Sequence, residues 1–304
     1  MTVVLAKQCG EVFSLVADTM ISDSGLGRED AIPGRLKIIP LASDLTVAYA
    51  GHADPALYAI RALFRGGITD TSRALEALRQ FTASHDHDVE FLVVSHQPAG
   101  ALHRVWQGRI SGSLSEAAIG NTAIRTAVYD RLPRQNDRAV TEADFYNAFL
   151  AVFTSPTAAL GHGVGGFPVG LDASPAGHRF RGHSFHYSWK PIEFLPGVEQ
   201  HQDPADMQSG DWTFHHTIMR TEEVGIAVLA AQVQQARRAY IYVPLLDDAS
   251  KPVALLEDGV DWTEHQEIMN TRTAEALKEA IARLAAAKSE DGQNASWRSV
   301  DNLS

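Results

Sequence analysis

The chain has little of several things, and each shortage excludes a class of protein. It holds one cysteine, Cys9, in 304 residues, so no disulfide can form within it and a disulfide-built secreted scaffold is excluded. It has no basic run. With 26 Lys and Arg against 37 Asp and Glu, the net charge is −11, which leaves nothing to neutralise phosphates along a nucleic acid. Its longest apolar stretches, such as Val224 to Ala231, fall far short of the about 20 residues with which a helix crosses a bilayer. No nucleic acid and no membrane are therefore expected as partners. The opening Met-Thr-Val-Val lacks the basic and apolar regions of a secretory leader, and the expected location is the cytoplasm. Internal repeats are absent, and no low-complexity tract precedes residue 288.

What is present is a globular composition, 45% hydrophobic, with a readable order of elements. Two short β-branched runs, Thr2–Ala6 and Val12–Ala17, flank a polar turn at Gln8–Gly10 and predict a hairpin. After a Gly-containing polar loop from Ser22 to Gly34, apolar segments at Leu36–Leu41 and Leu45–Ala50 predict a second. Asp54 and Pro55 then read as the cap and first turn of a helix carrying Leu57, Ile60 and Phe64, which Gly66-Gly67 ends. A further helix starts near Thr71 with Leu75, Leu78 and Phe81. Strands are predicted at Val89–Val94 and Ala101–Trp106. Ala117–Gly120 leads into a helix through Ile124, Val128 and Leu132, and another helix, capped by Thr141, carries Phe145, Phe149 and Phe153. A strand follows at Phe167–Leu171. This order, strands, two helices, strands, two helices, strands, suits an α+β arrangement of segregated layers better than a doubly wound parallel sheet.

The composition changes after that strand, where His178, His183 and His186 fall among aromatics. We place a boundary near residue 190. Residues 1–190 form the first expected domain. Residues 191–287 form a C-terminal α/β extension with strands at Val224–Ala231 and Tyr240–Leu246 and a long helix from about Glu264 bearing Leu277, Ile281 and Leu284 on one face. Residues 288–304 are an expected disordered tail.

The chemistry suggested by the first half is that of an amide hydrolase whose nucleophile is the first residue of the mature chain. Such an enzyme needs a hydroxyl or thiol there, with the free α-amine as base, because that amine titrates near neutrality. It also needs a buried cation to lower nearby pKa values, a carboxylate to hold the cation, and a backbone N–H directed at the oxyanion, most easily from a glycine. Each part has a natural occupant. Thr2 follows a methionine that is readily trimmed, Asp18 ends the second strand, Lys37 lies between Leu36 and Ile38 on the third, and Gly51 follows the fourth in Tyr49-Ala50-Gly51. The bland readings are a strand-loving threonine, a turn-starting Asp18, a solvent-facing Lys37 and a hinge glycine. Cys9 has no basic group to activate it and reads as inert. No cofactor is called for. The histidines His183, His186, His215 and His216 lack the i, i+4 helical spacing and the cysteines of zinc motifs, so no metal is expected.

These residues carry a resemblance. The stretch from Thr2 to Phe64 resembles the start of proteasome β subunits and bacterial HslV, with nucleophile, Asp, Lys and then Ala50-Gly51-His52-Ala53-Asp54 in register. Asp18 stands sixteen residues after Thr2 and Gly51 fourteen after Lys37, as in that family. Ala118-Ile119-Gly120-Asn121 is similar to the family's strand-to-helix turn, with Asn121 where a serine normally supports the proton relay. Val164-Gly165-Gly166-Phe167-Pro168-Val169 is similar to an element of the relatives called Anbu, while Thr154, Ser155 and Pro156 stand where an aspartate belongs. The resemblance covers roughly the first 180 residues. It implies a four-layer αββα N-terminal-nucleophile hydrolase sandwich, a peptide or other amide substrate, assembly as a homo-oligomeric ring, and catalytic residues Thr2, Asp18, Lys37, Gly51 and Asn121. Whether an ATPase partners it is left open. Two alternatives also stay open: a catalytically silent assembly or binding scaffold on this fold, and an amidase or acylase acting on non-peptide amides.

Overall fold

The computed structural model describes residues 3–19, 35–84, 88–133, 138–153, 168–181, 187–189, 212–220, 227–233, 238–242, 244–245 and 251–255, with single helical residues between 267 and 286. Strands β1 (Val3–Cys9), β2 (Val12–Ala17), β3 (Ile38–Pro40) and β4 (Leu45–Gly51) precede helices α1 (Ala53–Arg65) and α2 (Thr71–Ser84). Then come β5 (Val89–Ser95), β6 (Ala101–Trp106), β7 (Arg109–Ile110), β8 (Glu116–Gly120), α3 (Thr122–Tyr129) and α4 (Glu142–Phe153). The chain continues through β9 (Val169–Ser174), β10 (Gly177–Phe180), β11 (Tyr187–Trp189), β12 (Trp212–Arg220), β13 (Ala227–Val233), β14 (Arg238–Tyr242) and β15 (Lys251–Leu255). All strand pairs are antiparallel. The first sheet has the order β10-β9-β2-β1-β8, the second β3-β4-β5-β6-β7, and the third is the meander β11-β12-β13-β14-β15.

Three apolar clusters hold the first two sheets and the four helices together. One joins Val47, Tyr49, Phe91 and Val93 of the second sheet to Leu57, Ile60 and Leu63 of α1 and Leu75 and Leu78 of α2. Another joins Val3, Leu5 and Val16 of the first sheet to Ile124 and Val128 of α3 and Phe145, Phe149 and Phe153 of α4. Between them, Ala48, Leu92, Val94 and Leu102 of the second sheet meet Val4, Phe13, Leu15 and Leu171 of the first. Alternate residues of β5 thus enter different clusters, Phe91 and Val93 one, Leu92 and Val94 another. Both faces are covered, and this is why Val-Glu-Phe-Leu-Val-Val-Ser shows no polar alternation.

The helix ends follow local chemistry. Thr141 caps α4: its hydroxyl accepts the Asp144 N–H at 3.2 Å while Asp144 accepts the Thr141 N–H at 2.9 Å, a reciprocal box with Asp in the fourth position. Asp54 is not the cap of α1. The helix begins at Ala53 with His52 as N-cap and no side-chain capping bond, and Asp54 lies in the first turn, where a carboxylate suits the positive end of the helix dipole. Lys37 precedes β3 instead of lying within it, although its carbonyl accepts the Tyr49 N–H at 3.0 Å. The first strand runs on to Cys9, past the turn expected at Gln8, and the two-residue β7 has no counterpart in the sequence reading.

In the C-terminal part the strand expected from Val224 begins at Ala227, and the one expected at Tyr240–Leu246 is seen as Arg238–Tyr242. Just after β14, Leu245 joins the cluster around α1, and Arg61 Nε of α1 donates to the Pro244 carbonyl at 2.9 Å. Of the long helix, the helical residues Glu267, Thr271, Glu275, Lys278, Glu279, Ala282 and Ala286 are described and exposed, while Leu277, Ile281 and Leu284 lie outside the described residues. No helix among the described residues is long and apolar enough to cross a membrane.

Candidate active site

Asp18, Lys37, Gly51 and Asn121 sit at one end of the two sheets, next to members of the cluster between them. Val4, Ala17, Leu36, Ala50 and Ile119 all belong to that cluster. Asp18 follows Ala17, Lys37 follows Leu36, Gly51 follows Ala50, and Gly120-Asn121 follows Ile119. The strand pairing brings three of these chain ends together, because Val3 at the start of β1 pairs with Gly120 at the end of β8 and Val4 pairs with Ala17 at the end of β2. Thr2, the expected nucleophile, lies outside the described residues, as do Thr154, Ser155, Pro156 and the segment 164–167.

Asp18 is fully buried. Its Oδ1 accepts the Val3 N–H at 3.0 Å and the Lys37 ammonium at 2.7 Å. The peptide nitrogen that links Val3 to residue 2 and the lysine charge are thus held on a single oxygen atom. Lys37 is 1% exposed. Burial pulls its pKa below the ordinary lysine value, and the neighbouring Asp18 carboxylate opposes that fall by attraction and hydrogen bonding. An ammonium so far from water is tolerated only with a partner, and removing one member of such a pair costs about 3–5 kcal/mol.

Two further residues shape the site. Gly51 ends β4, is exposed, and has φ +95°. A Cβ there would lie 1.7 Å from the Asp88 carbonyl oxygen, so the close approach of the chain before β5 demands glycine. Asn121 is the N-cap of α3: its Oδ1 accepts the Ala123 and Ile124 N–H groups at 2.9 and 3.2 Å. That use of its oxygen follows from asparagine's strong preference for capping.

Thr19 went unnoticed in the sequence. It is fully buried, and its carbonyl accepts the Arg35 N–H at 2.7 Å. This bond ties together the two ends of the segment 20–34 and so fixes Asp18 against Lys37. The only sign of it was a polar pair, Asp18-Thr19, continuing a buried strand. Cys9 is buried at the far end of β1, and burial, with Glu142 second, pushes its thiol up to about 11, which leaves it un-ionised at neutral pH. His215 and His216 lie on β12 opposite Gln232 and Ala231, and His183 and His186 fall outside the described residues.

No protein-family model matches this sequence, and no curated protein matches it. Among solved structures the chain is similar to eukaryotic HslV from Trypanosoma brucei, at 16% identity and a TM-score of 0.42, covering 56% of this chain and 98% of that one.

Proposed function

We propose that the protein is a threonine-type N-terminal-nucleophile hydrolase, a proteasome-like peptidase that cleaves amide bonds through an acyl-enzyme on Thr2 once Met1 is removed. The observation that carries this reading is the buried Lys37–Asp18 pair, whose shared carboxylate oxygen also takes the Val3 N–H. A buried pair gives little stability over apolar residues of the same volume. Its position at the start of β1 makes sense where a charge is wanted. The fold that goes with this reading is a four-layer αββα sandwich. Its support is the three clusters, in which each of two sheets meets the other on one face and a helix pair on the other. Ring assembly belongs to the same reading through the family resemblance.

The chemistry runs as follows in this reading. The Thr2 α-amine takes the proton of the Thr2 hydroxyl as the oxygen attacks the substrate carbonyl carbon, and the oxyanion is met by the Gly51 N–H. The amine then gives the proton to the leaving nitrogen as the C–N bond breaks, which leaves an ester on Thr2. Water, deprotonated by the same amine, hydrolyses that ester and restores the hydroxyl. In this reading the Lys37 charge, held by Asp18, lowers the pKa of the Thr2 amine and hydroxyl. What lies beyond the amide is indifferent to this chemistry, so a non-peptide amide is the alternative substrate.

A second reading, a silent scaffold on the same fold, is favoured by Asn121, whose oxygen is engaged in capping α3. Intact mass of the protein, before and after exposure to an electrophilic amide mimic, separates the two. The hydrolase reading expects loss of Met1 and one adduct on Thr2. Quantitative retention of Met1 with no adduct overturns it in favour of the scaffold.

A further inference from the structure

The second sheet carries a row of unlike residues at the same end as Gly51. Ala50 pairs with Glu90, Glu90 with Trp106 and Trp106 with Arg109, so the four stand side by side on β4, β5, β6 and β7. Directly paired residues share a face, and Ala50 belongs to the cluster between the sheets, so this face is the one turned toward the first sheet. Arg104 is on it too, because it pairs with Leu92 of that cluster. The layer is closed at Ala50, which is 1% exposed, and opens along the row: the Glu90 and Arg104 side chains are 23% and 35% exposed, and Arg109 is exposed. β8, the edge strand of the first sheet, packs across β5 and β6 and ends in the exposed Gly120.

Both cations of this region are held in place. The Arg104 guanidinium stacks over the Trp106 ring at 4.8 Å from its centroid, and its Nη2 donates to Glu90 Oε1. Ser111 Oγ accepts the Arg104 N–H at 2.8 Å. Trp106 and Arg109 are joined by the two-residue turn Gln107-Gly108, whose φ angles of +45° and +69° are both left-handed, the form that matches strand twist in a hairpin. The Gly108 N–H donates to Thr82 Oγ1 of α2 at 3.1 Å, and a Cβ on Gly108 would lie 2.9 Å from the Ala83 Cβ, so the turn is seated against the end of that helix. The charges do not cancel. Glu90 takes one of the five N–H donors of the Arg104 fork, and Arg109 makes no ion pair among the described residues. In a chain of net charge −11, two guanidinium groups with one carboxylate and a tryptophan make a local cationic end. The exposed Asp54 and Asp88 lie at the opposite side of the row, in the first turn of α1 and just before β5.

We propose that Arg104 and Arg109 read a carboxylate on the substrate, three or four residues of extended chain away from the amide that Thr2 cleaves. A planar fork of donors stacked on an aromatic ring is suited to a carboxylate. Neighbouring strands stand about 4.8 Å apart, which puts Trp106 at about 10 Å and Arg109 at about 14 Å from β4. An extended peptide advances about 3.3 Å per residue, so one that has its reacting carbonyl at Gly51 and runs along the row brings its third or fourth residue to Trp106 and Arg109. Asp54 and Asp88 repel a carboxylate from the Gly51 side and so favour this distance. The carboxylate is an acidic side chain or the free end of the peptide. The position of the cleaved amide rests on the hydrolase reading; the preference for a carboxylate is read by binding.

The test is calorimetric titration at low salt with three alanine-based peptides. The first two are acetylated and amidated and carry Glu or Gln at the third residue on each side of a central amide. The third carries Gln and ends in a free carboxylate at the third residue after that amide. The wild type is expected to bind a carboxylate-bearing peptide about tenfold more tightly than the neutral Gln peptide, the range of a hydrogen bond to a charged group. Tight binding of the Glu peptide assigns the carboxylate to a side chain, and of the third peptide to a chain end. Arg104→Gln/Arg109→Gln is expected to bind all three alike. Glu90→Gln removes the competing carboxylate and is expected to raise the preference by a further factor of about three. Equal binding of all three peptides by the wild type, binding of none, or a preference that survives the loss of both arginines overturns the proposal. Should the double variant fail to fold, Glu90→Gln decides, and a preference that it leaves unchanged or lowers overturns the proposal. The reading on Thr2 fails separately, when an electrophilic amide mimic leaves no adduct while the carboxylate preference remains.

Discussion

The layer between the two sheets ends in two polar clusters of opposite kind. At one end Lys37 and Asp18 form a charged pair that also holds the Val3 N–H; at the other, the Thr46 hydroxyl and the His178 and His96 rings form a hydrogen-bonded chain. Both lie among Val, Leu and Ala side chains, and both draw on β4, whose first residues meet His178 and whose last is Gly51. About 3.3 Å of rise per residue separates the ends by roughly 16 Å. A charged pair projects a field onto neighbouring groups, and either member alone is a liability. A hydroxyl–imidazole chain works through short hydrogen bonds, and losing one member leaves its neighbour's bond unmade.

That contrast is most easily broken at Lys37. Replacing it with Ala leaves Asp18 charged and buried, so urea unfolding is expected to show a loss of about 3–5 kcal/mol, while the double change Lys37→Met/Asp18→Asn recovers much of it. Any amidase turnover should fall by about 10²-fold or more in Lys37→Ala. The pH dependence carries the opposite sign from that of a lysine whose pKa a partner raises. Because burial lowers the folded pKa of Lys37, the unfolded chain binds the extra proton between that lowered value and the ordinary one of about 10.4. Stability attributable to Lys37 therefore rises with pH across that window, and the difference between wild type and Lys37→Met should show the rise. A flat difference would mean that the lysine is not buried in solution.

The next largest effect is expected at Gly51→Ala, where a left-handed φ and the Asp88 carbonyl at 1.7 Å from the added Cβ both oppose substitution. A loss of about 1–3 kcal/mol, or a shift of the β4–β5 junction seen by amide exchange, is expected. Thr46→Val tests the hydroxyl–imidazole end. It removes the hydroxyl bonded to His178 Nδ1 inside the core, for a loss of about 1–3 kcal/mol with no change in amide turnover, since the cluster lies at the far end from Lys37. The smallest effect belongs to Asn121→Ala, which removes the α3 cap at about 1 kcal/mol. A turnover loss in Asn121→Ala much larger than this would return the residue to the proton relay.

The charged end was legible in the sequence and the hydroxyl–imidazole end was not. A lysine between Leu36 and Ile38 is conspicuous, and Asp18 closes a strand of apolar residues, so both draw attention as isolated polar groups. Thr46, His96 and His178 lie in three segments, the last two 82 residues apart, and each taken singly reads as a solvent-facing position. Strands with strong β-branched or aromatic content, β2 and β6, were read with the bounds they have, Val12–Ala17 and Ala101–Trp106. The strand β10, Gly-His-Arg-Phe, was missed because its composition is that of a turn, and its partner β9 supplies the pairing that makes it a strand. β12 was missed although its Trp, Thr, Phe and Ile favour a strand, because His215-His216 interrupt them in its middle.

The bond from the Arg35 N–H to the Thr19 carbonyl has a consequence for how this protein could be altered. It acts as a clasp beside the buried pair, a backbone bond between the residue after Asp18 and the residue two before Lys37. A change that removes the Arg35 N–H, such as Arg35→Pro, is therefore expected to loosen the spacing of the buried pair without touching either of its members.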